Sequence, residues 1–284
     1  MTSFLRSCVL TVTCLIAAVS AGGQVAVTQK DLDSIYHWAY SAAFGTGAYR
    51  VGDDEVYVIK VEPVLNLSWF ANRGVTTKLR LPITFGLQSI DLKDIGDIID
   101  LSTNLKTMTF VPGLEFEIPM RGSWILKPFA NYGYGHQLSG SGSAQIFYFG
   151  LNSQVALPSL GAMDIQMING LHWFGQVPNR ARSEIFARLV TGFEGNLRLG
   201  SMQLGGHQLY LKPHIAYYWY FNPPGFGQIL EPAIELKQEF EIALAVGIEE
   251  RISFKIFSLD RLGIAFKGGA DIQGIRIYLS SVFR

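Results

Sequence analysis

Cysteine is nearly absent from this 284-residue chain: the two it has, Cys8 and Cys14, both fall near its start. A chain cleaved behind them has no thiol, so neither a disulfide framework nor thiol chemistry is expected of it. Long hydrophobic runs are also missing. Beyond the leader no stretch of about eighteen apolar residues occurs, which excludes a helical membrane protein. Charge of one sign is lacking as well, since 23 basic residues stand against 23 acidic ones. That balance suggests no nucleic-acid partner. The histidines are His37, His136, His172, His207 and His214. None has the helical spacing of a metal-ligand pair, so no metal site and no cofactor is expected. None stands in a serine–histidine or aspartate–histidine motif of a hydrolase, so no catalytic residue and no enzyme activity is expected either. His172 and His214 read more simply as polar lumen residues bonded to neighbouring carboxylates.

What is present begins with a leader. Met1 to Ser7 carry one positive charge, Arg6; Cys8 to Val19 form a short apolar stretch; and Val19-Ser20-Ala21 offer small residues for cleavage before Gly22. This is the three-part layout of a secretory signal peptide, with a core too short to span a membrane as a helix. Thr11-Val12-Thr13 before Cys14 lacks the small-residue context of a lipoprotein site. Loss of Arg6 leaves 22 basic residues against 23 acidic.

Behind the leader, strand follows strand. In Ala233 to Val246, Ile234, Leu236, Phe240, Ile242, Leu244 and Val246 share one face of an extended chain, and Glu235, Lys237, Glu239 and Glu241 share the other. Similar patterns span Tyr36 to Val51, Val56 to Phe70, Thr76 to Ser89, Asn104 to Met120, Trp124 to Gln137 and Ala144 to Leu157. They continue over Met163 to Phe174, Ser183 to Leu199, Met202 to Tyr220, Ala233 to Gly247, Ile252 to Lys267 and Ile272 to Phe283. That is about twelve strands, each long enough to cross a bilayer at a tilt. Ser258 to Arg261 leaves the eleventh open to a turn or a bend. Tight turns at Asn72 to Val75, Arg121 to Ser123, Pro158 to Ala162, Gly200-Ser201 and Ile248 to Arg251 alternate with mostly longer connections such as Ile90 to Thr103 and Phe221 to Pro232. Short periplasmic turns and longer outer loops are the layout of an up-and-down transmembrane β-barrel. The expected organisation is a signal peptide over residues 1–21, a short periplasmic segment over 22–35, and an all-β, antiparallel barrel over 36–284. The segment over 22–35 is too short for a folded passenger domain, which needs about 50 residues, and reads as a tail or a short plug.

The cost of charge in lipid orients the strands. Lysine or arginine on the lipid face near the midplane costs about 2–4 kcal/mol, against a whole-domain stability of about 5–15 kcal/mol. The charged rows are therefore expected inside. They comprise Lys60, Glu62, Lys78, Arg80, Glu115, Glu117, Lys127, Glu184, Arg188, Glu194, Arg198, Lys212, Glu235, Lys237, Glu239, Glu241 and Arg276, with Asn66, Ser68, Asp164 and His214 beside them. Both signs occur in similar number, which favours salt-bridged rows and a narrow or occluded lumen over an open small-solute channel. Trp38, Trp69, Trp124, Trp173 and Trp219 fall near strand ends, where membrane barrels place aromatic girdles. Alternation alone leaves a third reading open, a soluble periplasmic β protein with the apolar rows inside.

Two loops admit sharper readings. Leu92, Ile95 and Ile99 among the acids of residues 91–100 suggest a small surface helix, more simply than a cation site at the lipopolysaccharide surface. Tyr217-Tyr218-Trp219-Tyr220-Phe221 reads as a girdle before it reads as a ligand platform. One feature opposes the barrel: Pro63, Pro82, Pro112, Pro128 and Pro213 lie within the strands, and a closed wall has no edge to hide a missing N–H. Pro82 is the hardest of these to place.

Gly274, Ile277, Leu279 and Phe283 resemble the C-terminal signal by which bacterial outer-membrane barrels are recognised by their insertion machinery. Ile272 stands where that signal prefers a polar residue, and Arg284 follows the final phenylalanine. Together with strands such as Leu126 to Gly135, the chain resembles the solitary, passenger-less kind of autotransporter-like outer-membrane barrel, over Tyr36 to Phe283. The resemblance implies a Gram-negative outer-membrane location and a structural or surface-interaction role. The implied partners are outer-membrane lipid, lipopolysaccharide and, during assembly, the insertion machinery.

Overall fold

The computed structural model describes residues 44–51, 54–88, 105–138, 141–179, 183–222, 225–226, 234–254, 257–270 and 272–278. The leader, the segment over 22–35, the loop over 90–103, Trp38, Leu279 and Phe283 lie outside them. Twelve strands form a closed antiparallel barrel. They are β1 (Gly47–Val51), β2 (Asp54–Val61 and Val64–Leu67), β3 (Thr76–Arg80 and Ile83–Gln88), β4 (Leu105–Phe110 and Gly113–Pro119), β5 (Trp124–Gln137) and β6 (Ser143–Leu160). After these come β7 (Met163–Pro178), β8 (Glu184–Leu204), β9 (His207–Phe221), β10 (Gln238–Phe254), β11 (Phe257–Gly269) and β12 (Ile272–Tyr278). Each strand pairs with its sequence neighbours, and β1 closes on β12 from Gly47–Arg276 to Val51–Ile272. A separate two-stranded pair, Gly225–Phe226 with Ile234–Glu235, stands in the β9–β10 connection.

Alternation gives each strand one buried and one exposed row, and a closed barrel has only its interior in which to bury one. On β10, Glu239, Glu241, Ala243 and Ala245 are buried while Phe240, Ile242, Leu244 and Val246 are exposed. On β11, Arg261, Ala265 and Lys267 are buried against exposed Leu262, Ile264 and Phe266, and β12 repeats this with Ile272 and Arg276 against Ile275 and Ile277.

Three of the prolines interrupt neighbouring strands of this wall at one level. Pro63, Pro82 and Pro112 interrupt β2, β3 and β4 side by side, yet the pairing register is the same above and below. Val61 pairs with Ile83 and Val64 with Arg80; Ile83 pairs with Phe110 and Arg80 with Gly113. No residue is inserted at these junctions, so none of them is a bulge. At each junction the neighbour donates to the proline carbonyl: Leu81 N to Pro63 O at 2.9 Å, Val111 N to Pro82 O at 3.2 Å and Tyr132 N to Pro112 O at 3.0 Å. Proline has no N–H to return. Asn131 Nδ2 donates instead to the Val111 carbonyl, at 3.0 Å. The line ends on β5 at Gly133, where a Cβ would meet the Phe110 carbonyl oxygen at 2.0 Å. Pro128 and Pro213 sit within continuous strands where one ladder skips. β4 pairs Glu115 with Phe129 and Ile118 with Leu126 but nothing between, and β8 pairs Glu194 with His214 and Leu197 with Leu211. The wall thus accommodates proline by giving up single bonds. Asn131→Ala, which leaves the buried Val111 carbonyl without its donor, is expected to destabilise the barrel by about 1–3 kcal/mol, read by urea unfolding in lipid vesicles.

Two turns differ from the sequence expectation. β8 and β9 meet at Gly205-Gly206, both at positive φ (59° and 84°), not at Gly200-Ser201, which lies within β8. Gly-Gly is the chemistry a two-residue hairpin requires. β10 runs through residues 248–251 to Phe254, which pairs with Phe257, so Ser258 to Arg261 is strand and not turn. Irregular register between Gly247 and Ile252 breaks the alternation there, which is why the sequence pattern suggests a turn.

Candidate functional site in the barrel interior

The interior begins with an alternating chain of ions on β2 to β5. Lys60 Nζ lies 3.1 Å from Glu62; Arg80 reaches the same carboxylate through Nε and Nη2, and its Nη1 lies 3.2 Å from Glu115. Lys78 lies 3.7 Å from Glu115 and 2.5 Å from Glu117, which Lys127 meets at 3.2 Å. Lys60, Glu62, Arg80, Glu115, Lys78, Glu117 and Lys127 therefore run in alternating sign across four neighbouring strands. The two-residue period selects them: each is the inward member of its strand, and adjacent strands carry opposite charge at facing positions.

The other side of the barrel bridges wider gaps. Arg261 Nη1 on β11 meets Glu194 on β8 at 2.6 Å, with β9 and β10 between them. Arg276 on β12 lies 3.4 Å from Glu241 on β10, and His214 on β9 lies 3.6 Å from the same carboxylate. Lys267 Nζ is 2.5 Å from Glu239, to which the Tyr220 hydroxyl donates at 3.1 Å. Its ammonium also stands 4.3 Å from the ring centroid of Tyr218. Arg188 bonds His172 Nδ1 at 3.0 Å, and His172 Nε2 lies 2.7 Å from Asn152 Oδ1, so the partners of His172 are a guanidinium and an amide and not the carboxylates expected of it.

Of the residues expected inside, Lys78, Arg80, Glu115, Arg188, Glu194, Lys212, Glu239, Glu241 and Arg276 are buried, and Lys60, Glu62, Glu117, Lys127 and Glu184 are half-buried. Arg198 is exposed, because β8 runs on past the barrel into the hairpin that ends at Gly205. Lys237 is exposed and Leu236 buried: the chain leaves strand conformation between Glu235 and Gln238, so the alternation does not cross that point. The Glu235 backbone belongs to the separate pair, and its side chain is outside the described residues. Asn66, Ser68 and Asp164 are exposed near strand ends. Gly274 faces inward and seats the Tyr49 ring across the closing seam, where a Cβ would lie 2.5 Å from Tyr49 Cδ1; Ile277 faces outward.

The sequence reading omits Arg261 and Lys267, although both stand in the row opposite Leu262, Ile264 and Phe266. It also omits an aromatic band inside the barrel. Phe129, Tyr148, Phe174, Phe186 and Tyr220 line up across β5 to β9 with successive centroids 5.0 to 6.2 Å apart. Around Tyr148 the sequence is apolar on both faces, so alternation carries no signal there. Among the described residues no cluster of three or more His, Cys, Asp or Glu side chains is placed to hold a metal ion.

No protein-family model matches the chain, and no curated protein matches it by sequence. Solved structures do. The translocator domain of the autotransporter NalP from Neisseria meningitidis is similar over 81% of this chain and 82% of its own, with a TM-score of 0.52 and 10% identity. The β domain of the Bordetella autotransporter BrkA is similar over 81% of this chain and 92% of its own, with a TM-score of 0.56 and 10% identity. At that identity the likeness is one of fold, and the fold is that of autotransporter translocator barrels.

Proposed function

With the fold of an autotransporter translocator barrel as premise, we propose that this chain is an integral bacterial outer-membrane β-barrel, exported by its leader, with a structural or surface-interaction role and an occluded lumen. The observation that carries the membrane reading is the inversion of its faces. A water-soluble barrel buries its apolar row, whereas here β10 to β12 expose Ile242, Leu244, Val246, Ile264, Phe266 and Ile277 and bury Glu239, Glu241, Lys267 and Arg276. Charge outside would be costly in lipid, and apolar side chains outside would be costly in water. The inversion speaks against the soluble periplasmic reading. Outer-membrane lipid and lipopolysaccharide are the surroundings this wall suits, and the insertion machinery is the partner that the residues around Gly274 and Ile277 would meet during assembly.

Occlusion is supported by contacts that reach over intervening strands on the inner face of the wall. Arg261–Glu194 spans two intervening strands, and Lys267–Tyr218 and Arg276–Glu241 each span one. The interior charged rows act in this reading as packing. A narrow channel for small solutes is the second reading, favoured by the same polar interior if its ion pairs open. Membrane fractionation with heat-modifiable gel mobility tests the membrane assignment. The expected result is recovery with the outer membrane and a faster-migrating band before boiling; recovery in osmotic-shock fluid would overturn it.

A further inference from the structure

A polar row crosses the outside of the wall. On β7, Ile168, Gly170 and His172 are buried, which puts Asn169 in the outward row; on β6 and β8 the same alternation puts Ser153 and Thr191 there. Asn169 pairs with both, so the three stand side by side across three strands. They are not at the edge of the apolar belt. Along β7 the outward row continues through Leu171 and Trp173 on one side and Met167 and Ile165 on the other; along β6 Ser153 is flanked by Leu151 and Val155, and along β8 Thr191 by Leu189 and Phe193.

The row is only partly satisfied from within. Trp124 Nε1 donates to Ser153 Oγ at 2.8 Å, and Thr191 Oγ1 donates to Asn169 Oδ1 at 2.8 Å. The second bond uses one end of the Asn169 amide and leaves the other. Turning the amide over exchanges which end is spent but not the count. Hydrocarbon offers neither donor nor acceptor, lipid head groups lie beyond the flanking apolar residues, and an intramembrane polar group without a partner points to one outside the chain.

We propose that β6 to β8 form the contact face of a homodimer in the membrane, centred on Asn169. An amide both donates and accepts, and Ser153 keeps a hydroxyl hydrogen to give, so the row is complementary to itself. That is the requirement of an isologous two-fold interface, in which one patch meets its own copy. Polar side chains serve as glue between membrane segments because the apolar remainder gains nothing over lipid. The inference rests on the membrane reading above.

The test uses the full chain, which has no cysteine beyond Cys14. Leu171→Cys, beside an intact Asn169 in the outward row, and, on the far wall, Ile275→Cys are exported, and oxidant is added to intact outer membranes. The first is expected to give a disulfide-linked species of twice the monomer mass and the second to give none. Equal cross-linking at both positions, cross-linking at neither, or a cross-link to a different protein would overturn the dimer. Heat-modifiable mobility of the same samples reports separately whether the barrel is in the membrane; its loss would sink the membrane reading and the dimer with it. Asn169→Leu keeps the wall apolar, and energy transfer between labelled copies in vesicles is expected to show association weakened about tenfold. Unchanged association would contradict the role of the amide.

Discussion

Glu239→Leu is expected to cost about 3–5 kcal/mol of stability, because it strips a buried ammonium of its counter-ion. Lys267 is 1% exposed, and Glu239 is its partner at 2.5 Å. With the carboxylate gone, the ammonium keeps the faces of Tyr218 and Phe44, at 4.3 and 5.7 Å from the ring centroids, and the charge of Glu241, with which it forms no ion pair. A cation over an aromatic face contributes about 0.5–2 kcal/mol, well short of what a desolvated charge requires. Tyr220 also loses the acceptor of its hydroxyl. The double variant Glu239→Leu/Lys267→Met removes both charges and keeps the volume, so it is expected to recover most of the loss. Urea unfolding in vesicles, followed by tryptophan fluorescence, measures all four corners of the cycle. Additive losses would mean that the two groups do not act as a pair.

Arginine at Leu244 is expected to cost about 2–4 kcal/mol in bilayers, the penalty of a cation near the midplane of a barrel's lipid face. Leu244 is exposed, lies between Ile242 and Val246 in the outward row of β10, and pairs with Ile264 on β11. Leu160→Arg, at the tip of β6, is the control and is expected to cost no more than about 1 kcal/mol, because the girdle region lets the head reach water. In a water-soluble barrel both sites would be ordinary surface, and both substitutions would fall within about 0.5 kcal/mol. The difference between the two sites, measured by the same unfolding assay, separates the readings.

The strand pattern is legible because the wall has two faces of opposite polarity. Rows such as Lys78 and Arg80, or Glu239 and Glu241, stand out against apolar neighbours, and period two carries them to the same side. Legibility failed where the period failed. Irregular register after Gly247 mimics a turn, and Gly200, also at positive φ, offers the chemistry of the Gly205-Gly206 hairpin a few residues early. Lys237 and Arg198 show a further limit: alternation says which side a residue takes but not whether its strand still lies in the barrel. The prolines were visible as a difficulty, but their common register across β2 to β4 depends on the pairing, which one strand at a time cannot disclose. The aromatic band was hidden for a different reason. An apolar residue inside a barrel looks like one outside, so Tyr148 and Phe174 became recognisable as interior only once the opposite row was seen to face out.

Single-channel recording from the purified full barrel in planar bilayers tests the proposed closure of the interior by its own ion pairs. The expected trace has no steady large conductance under applied voltage. Stable, uniform, ohmic steps from the unmodified protein would contradict the closed interior and favour the small-solute channel.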